Sequence, residues 1–190
     1  MDPARLRIAT DSEHRTLEAE LDLLRPSLTQ ENYAELLARF YAFYWHWETE
    51  AESVIEAALP GFFEPRRKTL RLEADLAALN YRLDASYRRA ACANVPRMSS
   101  VARALGSMYV IEGSTLGGQI LARHFRHRFG FDCNSGCSFF SGYGERTSEM
   151  WRAFKEVLAG RPACEDEEMI DSALVTFRAM RGCLVSDALR

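Results

Sequence analysis

Apolar residues recur at helical spacing along almost the whole chain, while glycine and proline fall mostly between the periodic runs; this pattern requires an all-α fold. No segment alternates apolar and polar residues as a half-buried strand would, and no internal repeat or low-complexity linker interrupts the pattern. A first helix is expected from Pro3 to about Leu24, with Leu6, Leu17, Leu21 and Leu24 as its apolar stripe, ending before Pro26. A long second helix, from about Glu31 to Leu59, stops at Pro60-Gly61 and carries Tyr33, Phe40, Tyr41, Phe43, Tyr44, Trp45 and Trp47. Such an aromatic group reads as core. Arg66 to Leu79 is a third helix, presenting Leu70, Leu72, Leu76 and Leu79. Ser99 and Ser100 after Pro96 offer a start for a fourth, which runs towards Phe129 and is interrupted by Gly113, Gly117 and Gly118. After a loop at Gly130 to Gly144, helices are expected over Glu145 to Ala159 and about Glu165 to Leu189. Glu165, Asp166, Glu167 and Glu168 suit the positive N-terminus of the last one.

With 190 residues, the chain reads as a single domain, 1–190. A domain of that size buries about 70% of the surface that its unfolded chain exposes. A formal net charge of −3 gives no pull towards nucleic acid or an anionic membrane. Met1-Asp2-Pro3-Ala4-Arg5 leads straight into a charged amphipathic pattern, so no signal peptide is read there. No run reaches the roughly 18 apolar residues of a membrane helix. Five cysteines, at Cys92, Cys133, Cys137, Cys164 and Cys183, are odd in number and scattered. A reduced, cytoplasmic setting is expected from them rather than a disulfide framework.

Two segments carry chemistry. On the first helix, Arg7 lies two turns below His14 and Glu18 one turn above it, so one face offers a cation, an imidazole and a carboxylate. A haem needs these three: a cation for its propionates, an imidazole for iron and a group that orients the imidazole. Taken alone, a histidine beside a glutamate is more often an exposed ion pair. The second segment is Tyr109-Val110-Ile111-Glu112-Gly113-Ser114-Thr115-Leu116-Gly117-Gly118-Gln119-Ile120-Leu121-Ala122. Three glycines inside a helix cost about 3 kcal/mol relative to alanine, which something must offset. Gly113 and Gly117, four apart, bare one strip of backbone, either for a flat ligand or for close helix packing. The two segments together favour the ligand surface.

At this point the chain resembles a known family. Ala9-Thr10-Asp11-Ser12-Glu13-His14 with Glu18 is similar to the proximal helix of haem oxygenases, and Glu112-Gly113-Ser114-Thr115-Leu116-Gly117-Gly118-Gln119 to their glycine-rich distal helix. The aromatic helix and the stretch Phe139-Phe140-Ser141-Gly142-Tyr143-Gly144 with Trp151 and Phe154 resemble bacterial members, in wording most like those that supply biliverdin to bacteriophytochromes. The resemblance implies a helical bundle with haem b between the first helix and a glycine-kinked distal helix. In it His14 is the iron ligand, Glu18 lies near the imidazole, and Arg7 is a partner for a propionate. Gly113, Gly117 and Gly118 line the distal face. It further implies that O₂ and electrons from a ferredoxin or reductase open the ring to biliverdin, carbon monoxide and ferrous iron. Where many members carry an aspartate after the first glycine to organise distal waters, this chain has Ser114, which can hydrogen-bond but holds no charge near neutral pH. Gly113, Ser114 and Gly117 are thus the expected catalytic positions. A haem carrier or sensor without ring cleavage is the alternative that Ser114 leaves open. A purely structural helical domain would use the glycines for packing alone.

Other groups weigh less. His124 and His127 have no carboxylate or cysteine at metal-binding spacing and read as surface. With Arg123, Arg126 and Arg128 they form a basic helix end, which can be a plain solvated terminus or a dock for an acidic electron donor. His46, between Trp45 and Trp47, reads as a packed or boundary residue. Cys133 and Cys137 are too isolated for zinc. No Glu-x-x-His pair of the di-iron bundles is present.

Overall fold

The computed structural model describes residues 1–83, 95–132 and 135–185, with six α-helices and no strand among them. α1 (Pro3–Leu21) starts at Asp2, whose Oδ1 accepts from the Ala4 amide at 2.8 Å, with Pro3 at a position that needs no N–H. It buries Leu6, Leu17 and Leu21, then stops at Asp22, where a left-handed φ of 35° turns the chain. The helix is therefore shorter than expected, and Leu24 lies beyond it, half-exposed. α2 (Gln30–Ala58) is capped by Thr29 and buries Tyr33, Phe40, Tyr41, Phe43, Tyr44 and Trp47. This is the core expected of that aromatic group.

α3 (Thr69–Ala78) begins later than expected, because Glu64–Arg66 forms a separate 3₁₀ turn; Leu72 and Leu76 are buried, whereas Leu70 points outward. α4 (Val101–Phe129) starts at Ser100, whose hydroxyl accepts from the Arg103 amide at 3.1 Å, and ends at Gly130. It runs through Gly113, Gly117 and Gly118 as one continuous helix, where interruption was expected. Glycine keeps both backbone hydrogen-bonding groups, so it weakens the ladder without ending it. α5 (Thr147–Ala159) follows a 3₁₀ turn at Gly144–Arg146, and α6 (Asp166–Leu184) has Asp166, Glu167 and Glu168 in its first turn. The expected continuation of that helix to Leu189 falls outside the described residues beyond 185, as do Cys92 and Cys133.

α6 is the pivot: α1, α2 and α4 all pack along it. α4 comes close to it at Gly106, where a Cβ would stand 2.2 Å from the Met169 carbonyl oxygen. A buried polar chain ties α2, α4 and α6 together. Trp47 Nε1 donates to Ser107 Oγ at 2.7 Å, Ser107 and Thr176 hydroxyls pair at 2.7 Å, and Thr176 donates to the Ser172 carbonyl. Phe139 and Phe140 plug the far end among Phe40, Tyr44, Tyr33 and Phe125. Their backbone is held by the Asp75 carboxylate, which accepts from the Ser138 and Phe139 amides at 2.7 and 2.8 Å. Cys137 and Cys183 are buried and Cys164 is exposed. No described helix is long and apolar enough to cross a membrane.

Candidate functional site

α1 and α4 each lie against α6 and approach one another around Tyr109. The Tyr109 hydroxyl comes within hydrogen-bonding reach of Thr10 and close to the Arg7 charge; burial nonetheless raises its pKa above the ordinary value. Arg7, Ile8, Tyr109, Trp151 and Lys155 line a cavity of about 440 Å³ with Pro3 and Ala4. Arg7 thus lines a space with a second cation, Lys155.

Two turns along α1, His14 is 50% exposed. Its ring stands edge-on to Phe177 of α6, centroids 5.7 Å apart, and its Nε2 lies 3.4 Å from Glu18 Oε1. The spacing expected from the sequence therefore brings imidazole and carboxylate together. Half-exposed and at i,i+4 spacing, the contact has the geometry of a surface pair.

The α4 face decides more. Gly113, Leu116, Gly117 and Ile120 recur at i, i+3, i+4 and i+7, on one face of the helix. Leu116 is 41% and Ile120 56% exposed, and a Cβ at Gly117 would meet nothing within 4 Å. At Gly113 it would meet only Trp151, at 3.9 Å. Large apolar residues left open beside glycines, in a helix whose other face is core, form a ready surface for a flat apolar ligand. Gly118 does not belong to it. A Cβ there would lie 2.8 Å from the Phe140 carbonyl oxygen, so this glycine serves close packing. Ser114 is exposed, donates to the Ile111 carbonyl at 2.8 Å and lies near the Tyr44 hydroxyl.

At the end of α4, Arg128 donates to the carbonyls of Arg25, Pro26 and Leu28 and so ties down the α1–α2 turn; Arg123, Arg126 and His127 remain exposed. The His124 Nε2 and His46 Nε2 are buried without a hydrogen-bond partner. Among the described residues no group of three or more His, Cys, Asp or Glu side chains is placed to hold a metal ion. An imidazole plus an apolar face is a donor set that fits a haem, which brings its own equatorial nitrogens to the iron.

Sequence reasoning assigned no role to Tyr109, Lys155 or Phe177. Tyr109 had a usable signal, since it stands one turn before Gly113 on the same face. Lys155 and Phe177 had none, because only tertiary packing brings α5 and α6 to α1.

The heme oxygenase family model matches residues 3–183. A heme oxygenase of Xanthomonas campestris pv. campestris is 30% identical over 163 residues, covering 83% of this chain and 92% of the relative. Heme oxygenase PigA of Pseudomonas aeruginosa is 28% identical over 169 residues, covering 87% and 81%. The NO- and CO-bound heme oxygenase from Neisseria meningitidis superposes with a TM-score of 0.78 at 22% identity, over 97% of this chain and 90% of that one. The heme oxygenase from Leptospira interrogans gives 0.76 at 19% identity, over 97% and 99%. These structural likenesses speak to the fold, and the all-α architecture agrees with them. The chain belongs to the heme oxygenase family.

Proposed function

We propose that this chain opens haem b to biliverdin, carbon monoxide and ferrous iron, holding it between α1 and α4 with His14 on the iron. The observation that carries the reading is the open stripe of Gly113, Leu116, Gly117 and Ile120 on α4, linked through Tyr109 to the α1 face bearing Arg7 and His14. Bound there, haem supplies both the iron that activates O₂ and the ring that is opened. The protein's own residues do the rest. Glu18, 3.4 Å from the His14 ring, would pair with whichever imidazole nitrogen the iron does not take and so orient the ring. Arg7 and Lys155, on one cavity, would be the cations for the propionates. Gly113 and Gly117 leave room on the distal side. Ser114 offers a hydroxyl there, as donor or acceptor.

Electrons come from a ferredoxin or a reductase in the cytoplasm, and a bacteriophytochrome is one acceptor for the biliverdin. Support for the donor is the exposed basic group Arg123, Arg126 and His127, with Arg128 excluded because its guanidinium is committed to backbone carbonyls.

The test adds ferric haem to the purified protein, then reductant in air with catalase present. Loss of the Soret band with growth of a biliverdin absorbance is expected, with both lost or greatly slowed in His14→Ala. A Soret band that survives reduction and oxygen would instead make the protein a haem carrier or sensor.

A further inference from the structure

Directly behind Gly113 and Ser114 lies a set of charges for which haem binding gives no reason. Glu112 is wholly buried. Tyr143 donates to its Oε1 at 2.5 Å, and Lys68 Nζ donates to the Tyr143 hydroxyl at 2.5 Å while standing 3.6 Å from the same carboxylate oxygen. Arg66 Nε is 3.5 Å from Glu112 Oε2, and neither atom has a hydrogen-bond partner. Burying a carboxylate with two cations, and leaving polar atoms unpaired, costs more than the attraction usually returns; apolar residues would hold the same space as well or better. Stability therefore does not account for the cluster.

Its position does suggest a use. Tyr44, 1% exposed, feels the charges of Glu112 and Glu48, and its hydroxyl lies near that of Ser114. Tyr44 and Ser114 thus connect the buried charges to the open face of α4. The charged and titratable side chains around this pair and the cluster behind it come from several elements: Glu48 from α2, Arg66 and Lys68 from the chain entering α3, Arg71 from α3, Glu112 from α4 itself, and Tyr143 from the loop before α5.

We propose that Glu112 is a positioning residue for ring opening: its carboxylate, held by Lys68 and Tyr143, sets the charge beneath the Tyr44–Ser114 hydroxyl pair, and that pair makes the hydrogen bonds on the distal side of bound haem. This rests on the placement of haem against the α4 stripe. The pair works by hydrogen bonding and is unchanged over a turnover. Removing the negative charge makes the distal hydroxyls stronger donors and favours deprotonated forms, so acid–base transitions of the haem complex move to lower pH.

The experiment compares the unaltered protein with Glu112→Gln, Glu112→Asp and Tyr143→Phe. Haem affinity is read from the Soret band, folding from a thermal melt, and the acid-to-alkaline midpoint of the ferric complex from its visible spectrum against pH. Ring-opening rates are followed across the same pH range. Glu112→Gln is expected to bind haem with little change in affinity, to lower the midpoint by about one pH unit or more, and to slow ring opening about tenfold or more. Glu112→Asp should recover much of both losses. Tyr143→Phe, which leaves every charge in place but takes a donor from the carboxylate and so strengthens its field, should raise the midpoint by less than Glu112→Gln lowers it, and it decides the matter if Glu112→Gln fails to fold. Unchanged midpoint and rate in variants that bind haem would overturn this inference alone. Absence of a specific haem complex in the unaltered protein would overturn the placement of haem and this inference with it.

Discussion

Lys68 shows how a single residue here works against solvation. Burial pushes its ammonium down to about 8, the Glu112 charge opposing only in part. A lysine whose folded pKa is below its unfolded value of 10.5 binds fewer protons when folded, so stability rises with pH between the two values. The rise expected is roughly 3 kcal/mol across that window. Above the ordinary tyrosine range the trend reverses, because burial raises the pKa of Tyr44 and Tyr143 in the folded state and their neutral forms become a liability. Urea denaturation at points from about pH 7.5 to about pH 9.5 should show the rising limb, and Lys68→Met should flatten it. A slope that survives in Lys68→Met would assign it to another group.

At the scale of the element, α4 carries glycines of opposite purpose. Gly106 sits where a Cβ would collide with the Met169 backbone, which cannot swing aside as a side chain can. Gly106→Ala should therefore destabilise by about 1–3 kcal/mol, or prevent folding, as overpacking between two helices does. Gly117 faces open space. Gly117→Ala should raise helix propensity by up to about 1 kcal/mol, leaving the melting temperature equal or higher, while haem affinity or ring-opening rate falls. Calorimetry paired with a Soret titration separates the two. A stabilised Gly117→Ala that binds and cleaves haem normally would take Gly117 out of the site. The continuous helix also changes how the glycines are to be understood: they thin one face of α4 and do not divide it.

For the whole molecule, the way α1 is attached matters most. It packs mainly on α6, where Arg178 and Arg181 reach Glu13 at 2.7 and 3.5 Å, and it touches α4 chiefly through Tyr109. A ligand gripping both α1 and α4 should tie them together. At about 100 times its dissociation constant it adds about 2.7 kcal/mol to the stability of the folded state. Hydrogen exchange should slow on haem binding in α1 and in the Gly113–Ile120 part of α4, with α3 unaffected. Slowing confined to α2 and α3 would place the ligand elsewhere.

The all-α class, the order of the helices and the boundaries of α2 could be read from the sequence, because helical periodicity, Thr29, Ser100 and Pro60-Gly61 are local signals that act over a few residues. His14 with Glu18, and Gly113 with Gly117, were legible for the same reason: a helix repeats every few residues, so spacing alone puts them on one face. What the sequence could not reveal was which glycine faced what. Gly106 and Gly118 look like Gly117 in the chain, yet the first two are pressed against the backbones of Met169 and Phe140 and the third is open. Nor could it tell that Arg66, Lys68 and Glu112 are buried, since runs of charge are normally solvated and only the convergence of α2, the turn before α3, α4 and the Tyr143 loop removes water from these. Local propensity determined the elements; burial, close approach and the meeting of α1, α4 and α6 depend on residues far apart in the chain, and only the packed structure decided them.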